Sequence, residues 1–366
     1  MSSVISRRTI LGAGFLAGLG TMTGCAPEQT AYDPSGPGIV DVVIPYSTGG
    51  GTDTWGRFIT PYFAERQKDV DRYQIENVPG GESITGTNAY VKAGVTNGKQ
   101  VMVASATTYF QSMLGQSTVQ FDFAKMDPLA LNGSGAAVWT SPESGIKSVD
   151  DLVNNPQELR YGGMSASGLD LVALLAFEAL GSNIRGVFGM EGRGPTRLAV
   201  QRGESDLDMQ TTSSFLSQIQ PLIDSGEAIP LFAIGALEDG KVVRDPNLPD
   251  IPTFSEVYKS LGSHNEHQRL AYEAFQSFVV PGFFYQKGLW SNQGTDEDVI
   301  TTYDHLVSEL NSDETFLEEA KDALGGYQLV SGADARDAFH DALQIDDDVL
   351  AYTKQILEQK YDAVLN

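Results

Sequence analysis

The sequence predicts an α/β fold built as two lobes, on three observations. Short runs rich in β-branched and apolar residues alternate with longer stretches of helical spacing, the order expected of βαβ units around a parallel sheet. A strand followed by a Gly/Ser loop and then a helix occurs twice, at residues 40–57 and again at 160–180. The chain has 366 residues, enough for two domains of ordinary size.

In chain order, the first residues form an address. Ser6-Arg7-Arg8-Thr9-Ile10-Leu11 is a twin-arginine-like opening, and residues 10–23 are a Gly-rich segment too short and interrupted to span a bilayer. Cys25 is the only cysteine and directly follows Met22-Thr23-Gly24. That context fits cleavage before Cys25 and acylation of its sulfur; the alternative is a buried Cys acting as a small hydrophobe. The expected organisation is a signal peptide over 1–24, exported by the twin-arginine or the general secretion route, then a lipidated Pro/Gly-rich tether over 25–37. It places the protein on the outer face of the cytoplasmic membrane.

The first lobe opens with Val40, Val42, Val43 and Ile44, a β-branched run that stops at Pro45. The loop Ser47-Thr48-Gly49-Gly50-Gly51-Thr52-Asp53 follows, and a helical pattern runs from Thr52 to about residue 69. Residues 73–77 read as a second strand. A further glycine loop over 79–86 runs into a helix through residues 88–93, and Val101-Met102-Val103-Ala104 is a buried strand.

The second lobe repeats the theme. Residues 136–139 start a strand, and Ser148 is placed to cap a short helix. Arg160-Tyr161-Gly162-Gly163-Met164-Ser165-Ala166-Ser167-Gly168 is strand and loop, leading to a helix over 169–180 with Leu171, Leu175 and Ala179 on one stripe. Pro195 suits a first helical turn. Strands over 207–209 and 229–234 flank a helix over 214–223. The rest is helix-rich and is expected to return to the first lobe, with 275–280 as the returning strand and 263–269 as a polar surface insertion. Lobe 1 is then 38–135 plus 245–366, and lobe 2 is 136–244.

Three consecutive glycines let backbone approach a ligand closely. A helix N-terminus adds unpaired N–H groups and a favourable dipole for an anion. The loop is neither a dinucleotide fingerprint nor a P-loop, since Gly49-Gly50-Gly51 lacks both the spaced glycine and the Lys-Ser/Thr. Its bland alternative is a βα turn with Thr52 or Asp53 as N-cap. Open α/β sheets bind ligands at the carboxyl ends of their strands, so two such loops facing one another would clamp a small anion.

The formal charge of −24 argues against nucleic acid and against a polybasic membrane surface. It also repels an anionic ligand at long range. Screening over about 8 Å at physiological salt lets local N–H dipoles prevail at contact.

On these motifs the chain resembles the extracytoplasmic solute-binding proteins of tripartite tricarboxylate transporters, the Bug-type receptors. The carrying residues are Ile44-Pro45-Tyr46-Ser47-Thr48-Gly49-Gly50-Gly51-Thr52-Asp53 and Glu76-Asn77-Val78-Pro79-Gly80-Gly81 in the first lobe. They continue with Gly162 to Asp170, Arg202-Gly203-Glu204-Ser205-Asp206-Leu207-Asp208 and Pro246-Asn247-Leu248-Pro249-Asp250-Ile251-Pro252-Thr253. The resemblance implies a periplasmic-binding-protein type II-like Venus flytrap, two α/β lobes with a hinge. It implies a monomeric receptor that closes on a mono-, di- or tricarboxylate and delivers it to membrane permease subunits, with no cofactor and no metal. Carried over, the ligand contacts are Ser47, Thr48, Gly51, Thr52 and Asp53 in one lobe, and Gly163, Ser165, Ala166, Ser167 and Gly168 in the other. The chain departs from the family at Met190-Glu191-Gly192-Arg193, where many members carry a lysine turn.

Several candidates have a second reading. Asp53 is either a ligand acceptor or a plain cap. Arg193 either pairs with a ligand carboxylate or forms a surface pair with Glu191, which would contribute little. Tyr46 and Trp55 read as core. An enzyme is set aside: His264, His267, His305 and His340 lie away from the glycine loops, no H-E-x-x-H exists, and Gly163-Met164-Ser165-Ala166-Ser167 is not a nucleophile elbow. A sensor presenting its solute to a membrane kinase would use the same binding chemistry.

Overall fold

The computed structural model describes residues 34–238 and 241–365; the leader, Cys25 and most of the expected tether lie outside them. None of the helices among the described residues is long and apolar enough to cross a membrane.

The first sheet contains β1 (Ile39–Ile44), β2 (Arg72–Asn77), β3 (Gln100–Ser105) and β4 (Asp127–Asn132). The second contains β5 (Ala136–Thr140), β6 (Leu159–Gly162), β7 (Ile184–Val187), β8 (Leu207–Thr211) and β9 (Ile229–Ala233). A hairpin of β10 (Ala236–Glu238) and β11 (Lys241–Val243) follows, and then β12 (Lys287–Ser291) and β13 (Leu329–Val330) return to the first sheet. Its strand order is β13-β4-β12-β3-β1-β2, and that of the second is β7-β6-β8-β5-β9. In each, a parallel trio (β2-β1-β3; β7-β6-β8) is extended by antiparallel strands.

The parallel trios point their carboxyl ends at loops that open helices. Helix α1 (Gly51–Arg66) follows β1, α2 (Ile84–Ala93) follows β2, and α3 (Ala106–Met113) follows β3. In the second lobe, α4 (Val149–Asn154) begins at Ser148, whose hydroxyl accepts from the Asp151 amide at 3.1 Å. Helix α5 (Asp170–Leu180) follows β6, and α6 (Arg193–Gln201) follows β7. Helix α1 packs Trp55, Ile59 and Phe63 on Val42, Ile44 and Val103 of the sheet. Gly56 is required there, because a Cβ would stand 2.9 Å from the Ile44 side chain.

Two expectations are corrected. Residues 275–280 are not the returning strand: α7 (Phe254–Ser260) is followed by α8 (Glu266–Val279), and the strand comes later as β12. Helix α8 starts at Asn265 with a reciprocal cap, Asn265 accepting from the Gln268 amide and Gln268 from the Asn265 amide. Nor does the tail from 245 return wholly to the first lobe. Helix α5 is buried on every side, so it needs a cover opposite its sheet. Helix α8 supplies it, with Ala271, Ala274, Phe275 and Phe278 in the core, and four more α-helices follow in the tail. These are α9 (Glu297–Leu310), α10 (Glu314–Leu324) and α11 (Ala333–Ala342) on the first lobe, and α12 (Asp347–Lys360) against α8. Glu178 of α5 is tied to this cover by Tyr361 at 2.6 Å, His267 at 3.1 Å and the Lys360 ammonium.

The chain crosses between sheets at residues 133–135. Thr212 donates to Asp245 Oδ2 at 2.6 Å, and the Tyr327 hydroxyl donates to the same carboxylate. Gly135 threads past this group, where a Cβ would lie 2.5 Å from both Thr212 Oγ1 and Tyr327 Oη.

Candidate functional site

The first-lobe loop is braced from beneath. Asp53 lies in the first turn of α1, only 1% exposed, and its carboxylate reaches back to accept the Gly49 amide at 2.8 Å. It also accepts from Arg57 Nε at 2.9 and 3.0 Å and from Asn77 Nδ2 at 2.9 Å. Burial alone would raise this carboxyl, but Arg57, the Gly49 amide and Asn77 together hold it below its ordinary value. Asn77 extends the brace, donating to the Tyr46 carbonyl at 2.9 Å and accepting from Arg57 at 2.8 Å and Thr48 Oγ1 at 3.1 Å. Asp53 is therefore a strut whose acceptor capacity is spent on the chain itself.

What the brace leaves open is the helix end. Gly50 is the N-cap and has no side chain to give, and no acceptor among the described residues reaches the amides of Gly51, Thr52 or Asp53. Gly51 has open space where a Cβ would stand. Beside this end, Tyr46 shares a hydrogen bond with Thr108 at 2.6 Å and accepts one from Ser105 at 2.8 Å. Burial raises the Tyr46 hydroxyl above its ordinary range, with the Ser105 and Thr108 bonds offsetting part of the rise.

The second-lobe loop is built differently. Asp170, fully buried at the start of α5, accepts from the amides of Met164 at 2.8 Å and Ser165 at 3.3 Å and from the Tyr161 hydroxyl at 2.6 Å. Ser165 then folds the loop on itself: its hydroxyl accepts the Ser167 amide at 3.3 Å and its carbonyl the Gly168 amide at 3.4 Å. Gly163 spends its amide on Val187, the Ser165 and Ser167 hydroxyls donate out of the loop to Glu82, and the Ala166 amide has no acceptor among the described residues. Sequence reading expected two opposed amide cradles. The structure pairs an amide cradle with a hydroxyl face.

Arg193 stands behind that loop. Its Nη1 is 2.7 Å from Asp170 Oδ1 and 3.3 Å from the Met209 carbonyl, while Nη2 is buried without a partner among the described residues. Glu191, the alternative partner, is exposed. Burial would lower the guanidinium's affinity for its proton, but Asp170, Tyr161 and Asp208 raise it instead. Asp208 itself is pushed up to about 6 by burial, against the pull of Arg193.

The two loops meet through residues that sequence reading did not single out. Ser83 donates to Thr108 at 2.9 Å, one bond from Tyr46, and a Cβ on Gly168 would touch Thr107 at 3.3 Å. Glu82 crosses the gap: Ser165 donates to its Oε1 at 2.6 Å, Ser167 to its Oε2 at 2.8 Å, and Gln111 Nε2 to Oε2 at 2.9 Å. Lys287 pairs with Ser105 across the β3–β12 ladder. Its ammonium donates to Gln286 Oε1 at 2.8 Å and meets no carboxylate among the described residues. Burial lowers it to about 8. A crevice of about 900 Å³ is lined by Ser213, Asn247, Lys321 and Tyr327 and by neither loop. No group of three or more His, Cys, Asp or Glu among the described residues could hold a metal ion.

No protein-family model and no curated protein matches the chain. Solved structures do. A TctC solute binding protein from Polaromonas, without ligand, has a TM-score of 0.61 at 15% identity over 88% of this chain and 98% of its own. MatC from Rhodopseudomonas palustris, with bound malate, has a TM-score of 0.58 at 19% identity over 87% of this chain and 99% of its own. A further R. palustris protein, with adipate, scores 0.59 at 19% identity over 87% of this chain and 96% of its own. The sheet orders above and these likenesses agree: the chain has the two-lobed α/β fold of type II periplasmic binding proteins, the Venus flytrap.

Proposed function

We propose that the chain is an extracytoplasmic solute-binding receptor of the tripartite tricarboxylate type, one that captures a small organic acid between its lobes and delivers it to a membrane permease. The observation that carries this reading is the open N-terminus of α1, where Gly51, Thr52 and Asp53 present unanswered amides at the carboxyl end of a parallel sheet. Such a site favours an anion through its donors and its dipole. Ser47 and Thr48 line the approach, and Gly163, Ser165, Ala166, Ser167 and Gly168 close over the ligand from the second lobe. Arg193 acts through Asp170, holding the loop in shape. The malate and adipate of the two R. palustris structures are carboxylates held by proteins of this fold. Export through the twin-arginine-like leader and an acyl anchor on Cys25 complete the reading.

A thermal-shift screen of organic acids against the domain from residue 34 onward tests it, because a ligand that favours the folded state raises the melting temperature by mass action. A rise with at least one carboxylate, lost in Thr52→Pro, is expected. No rise with any acid overturns the reading.

A further inference from the structure

We infer that Glu82 is a built-in carboxylate that fills the far end of the ligand cleft and makes this receptor select acids with a single carboxylate. The inference rests on the receptor reading above and names the class of ligand it takes.

Glu82 belongs to the first lobe, on the turn between β2 and α2, yet two of its three hydrogen bonds cross to the second. Both of its oxygens are engaged there, Oε1 by Ser165 and Oε2 by Ser167, with Gln111 adding a third donor. Ser167 and Gln111 are 6% and 0% exposed, so two of the three donors are fixed rather than solvated. All three are neutral, and no cation among the described residues pairs with Glu82. The carboxylate is thus held by hydrogen bonding of a kind that any carboxylate could receive.

The backbone holds the residue in place at a cost. Gly80, Gly81, Glu82 and Ser83 have φ of 140, 53, 52 and 79° in succession. Left-handed backbone costs a non-glycine residue, and here two of them carry it side by side.

Consider an acid anchored by one carboxylate at the amides of Gly51–Asp53 and reaching toward the second lobe. Its far end arrives at the Ser165 and Ser167 hydroxyls. A second carboxylate there would find both hydroxyls taken and a like charge within contact distance, an arrangement that rejects the wrong ligand by repulsion. A neutral or hydrogen-bond-donating end meets no such barrier. The malate and adipate of the neighbouring structures are dicarboxylates, so selection at this position sets the chain apart from them.

The test is calorimetric titration of the wild type, Glu82→Gln and Glu82→Gly with acids matched in length: butyrate against succinate, and hexanoate against adipate. Glu82→Gly removes the charge and suits the positive φ, so it keeps the test open should Glu82→Gln fold poorly. The wild type should bind the monoacid at least about tenfold tighter than the diacid of equal length. Both variants should bring the pair within about threefold, chiefly by gaining affinity for the diacid. Equal or tighter binding of diacids by the wild type, or an unchanged ratio in the variants, overturns the inference and leaves the receptor reading standing. Binding of none of these acids to any of the three proteins, with no response in the broader thermal screen, overturns the receptor reading and this inference with it.

Discussion

Asp170 and Arg193 meet at 2.7 Å beneath the second-lobe loop, the carboxylate fully buried and the guanidinium side chain 13% exposed. Truncating one partner of such a pair leaves an uncompensated buried charge, a loss of about 3–5 kcal/mol. Asp170→Asn should therefore destabilise the fold by that order in urea titrations. It should also loosen the Met164 and Ser165 amides and weaken ligand binding. The double variant Asp170→Asn/Arg193→Gln should lose less than the sum of its parts, because neither charge is then stranded.

Asp53 sits in the opposite lobe as a strut, and its replacement separates bracing from contact. Asp53→Ala should cost about 1–3 kcal/mol, since the Gly49 amide and Arg57 lose a shared acceptor. It should weaken ligand binding mainly by disordering the loop. Amide hydrogen exchange at Gly49 and Gly50 in the free protein checks this: faster exchange is expected without ligand, and unchanged exchange would argue against a bracing role.

Lys287 carries a pH signature. Burial holds its folded pKa at about 8, below the ordinary 10.5. Between these values the unfolded chain keeps a proton that the folded chain has released, so stability rises with pH across the window. Below pH 8 both states are protonated and the folded protein bears the full penalty. Lys287→Met should remove the slope between pH 8 and 10.5 and raise stability at pH 7 by about 1–3 kcal/mol. Denaturation midpoints at pH 7, 8.5 and 10 measure both effects.

Gly135 passes the Thr212–Asp245–Tyr327 cluster with no room for a Cβ. Gly135→Ala should cost about 1–3 kcal/mol by overpacking and should shift the scattering profile by moving the chain crossing. Gly194→Ala, where nothing lies within 4 Å of the added carbon, is the matched control and should be close to neutral.

How far the sequence could be read depended on whether a feature is local. The β1 strand was legible because Val40, Val42, Val43 and Ile44 stop at a proline, and Ser148 because a cap is decided within three residues. Strand β12 was not: Lys287 and Gly288 break its pattern, while residues 275–280 have the apolar composition of a strand but lie downstream of a strong helix start at Asn265. The stripe expected on α5 dissolved for a tertiary reason, since a helix covered on both faces has no polar side to read. At the site, the loops were visible as glycine and serine runs. Glu82 was hidden inside one of them, because its partners Ser165 and Ser167 are more than eighty residues away in the chain. Lys287 reaches Ser105 only through an antiparallel ladder that no short window contains.

The cover over α5 decides which part of the molecule would travel. Because α8 is seated on that helix, α12 is seated on α8, and Glu178 binds Tyr361 and Lys360, these two helices ride with the second sheet although most of the tail's other elements belong to the first. A donor dye on the outer side of α12 paired with an acceptor on α1 would thus read lobe separation directly, molecule by molecule. A pair on α9 and α1 would stay silent and serve as the ruler's zero.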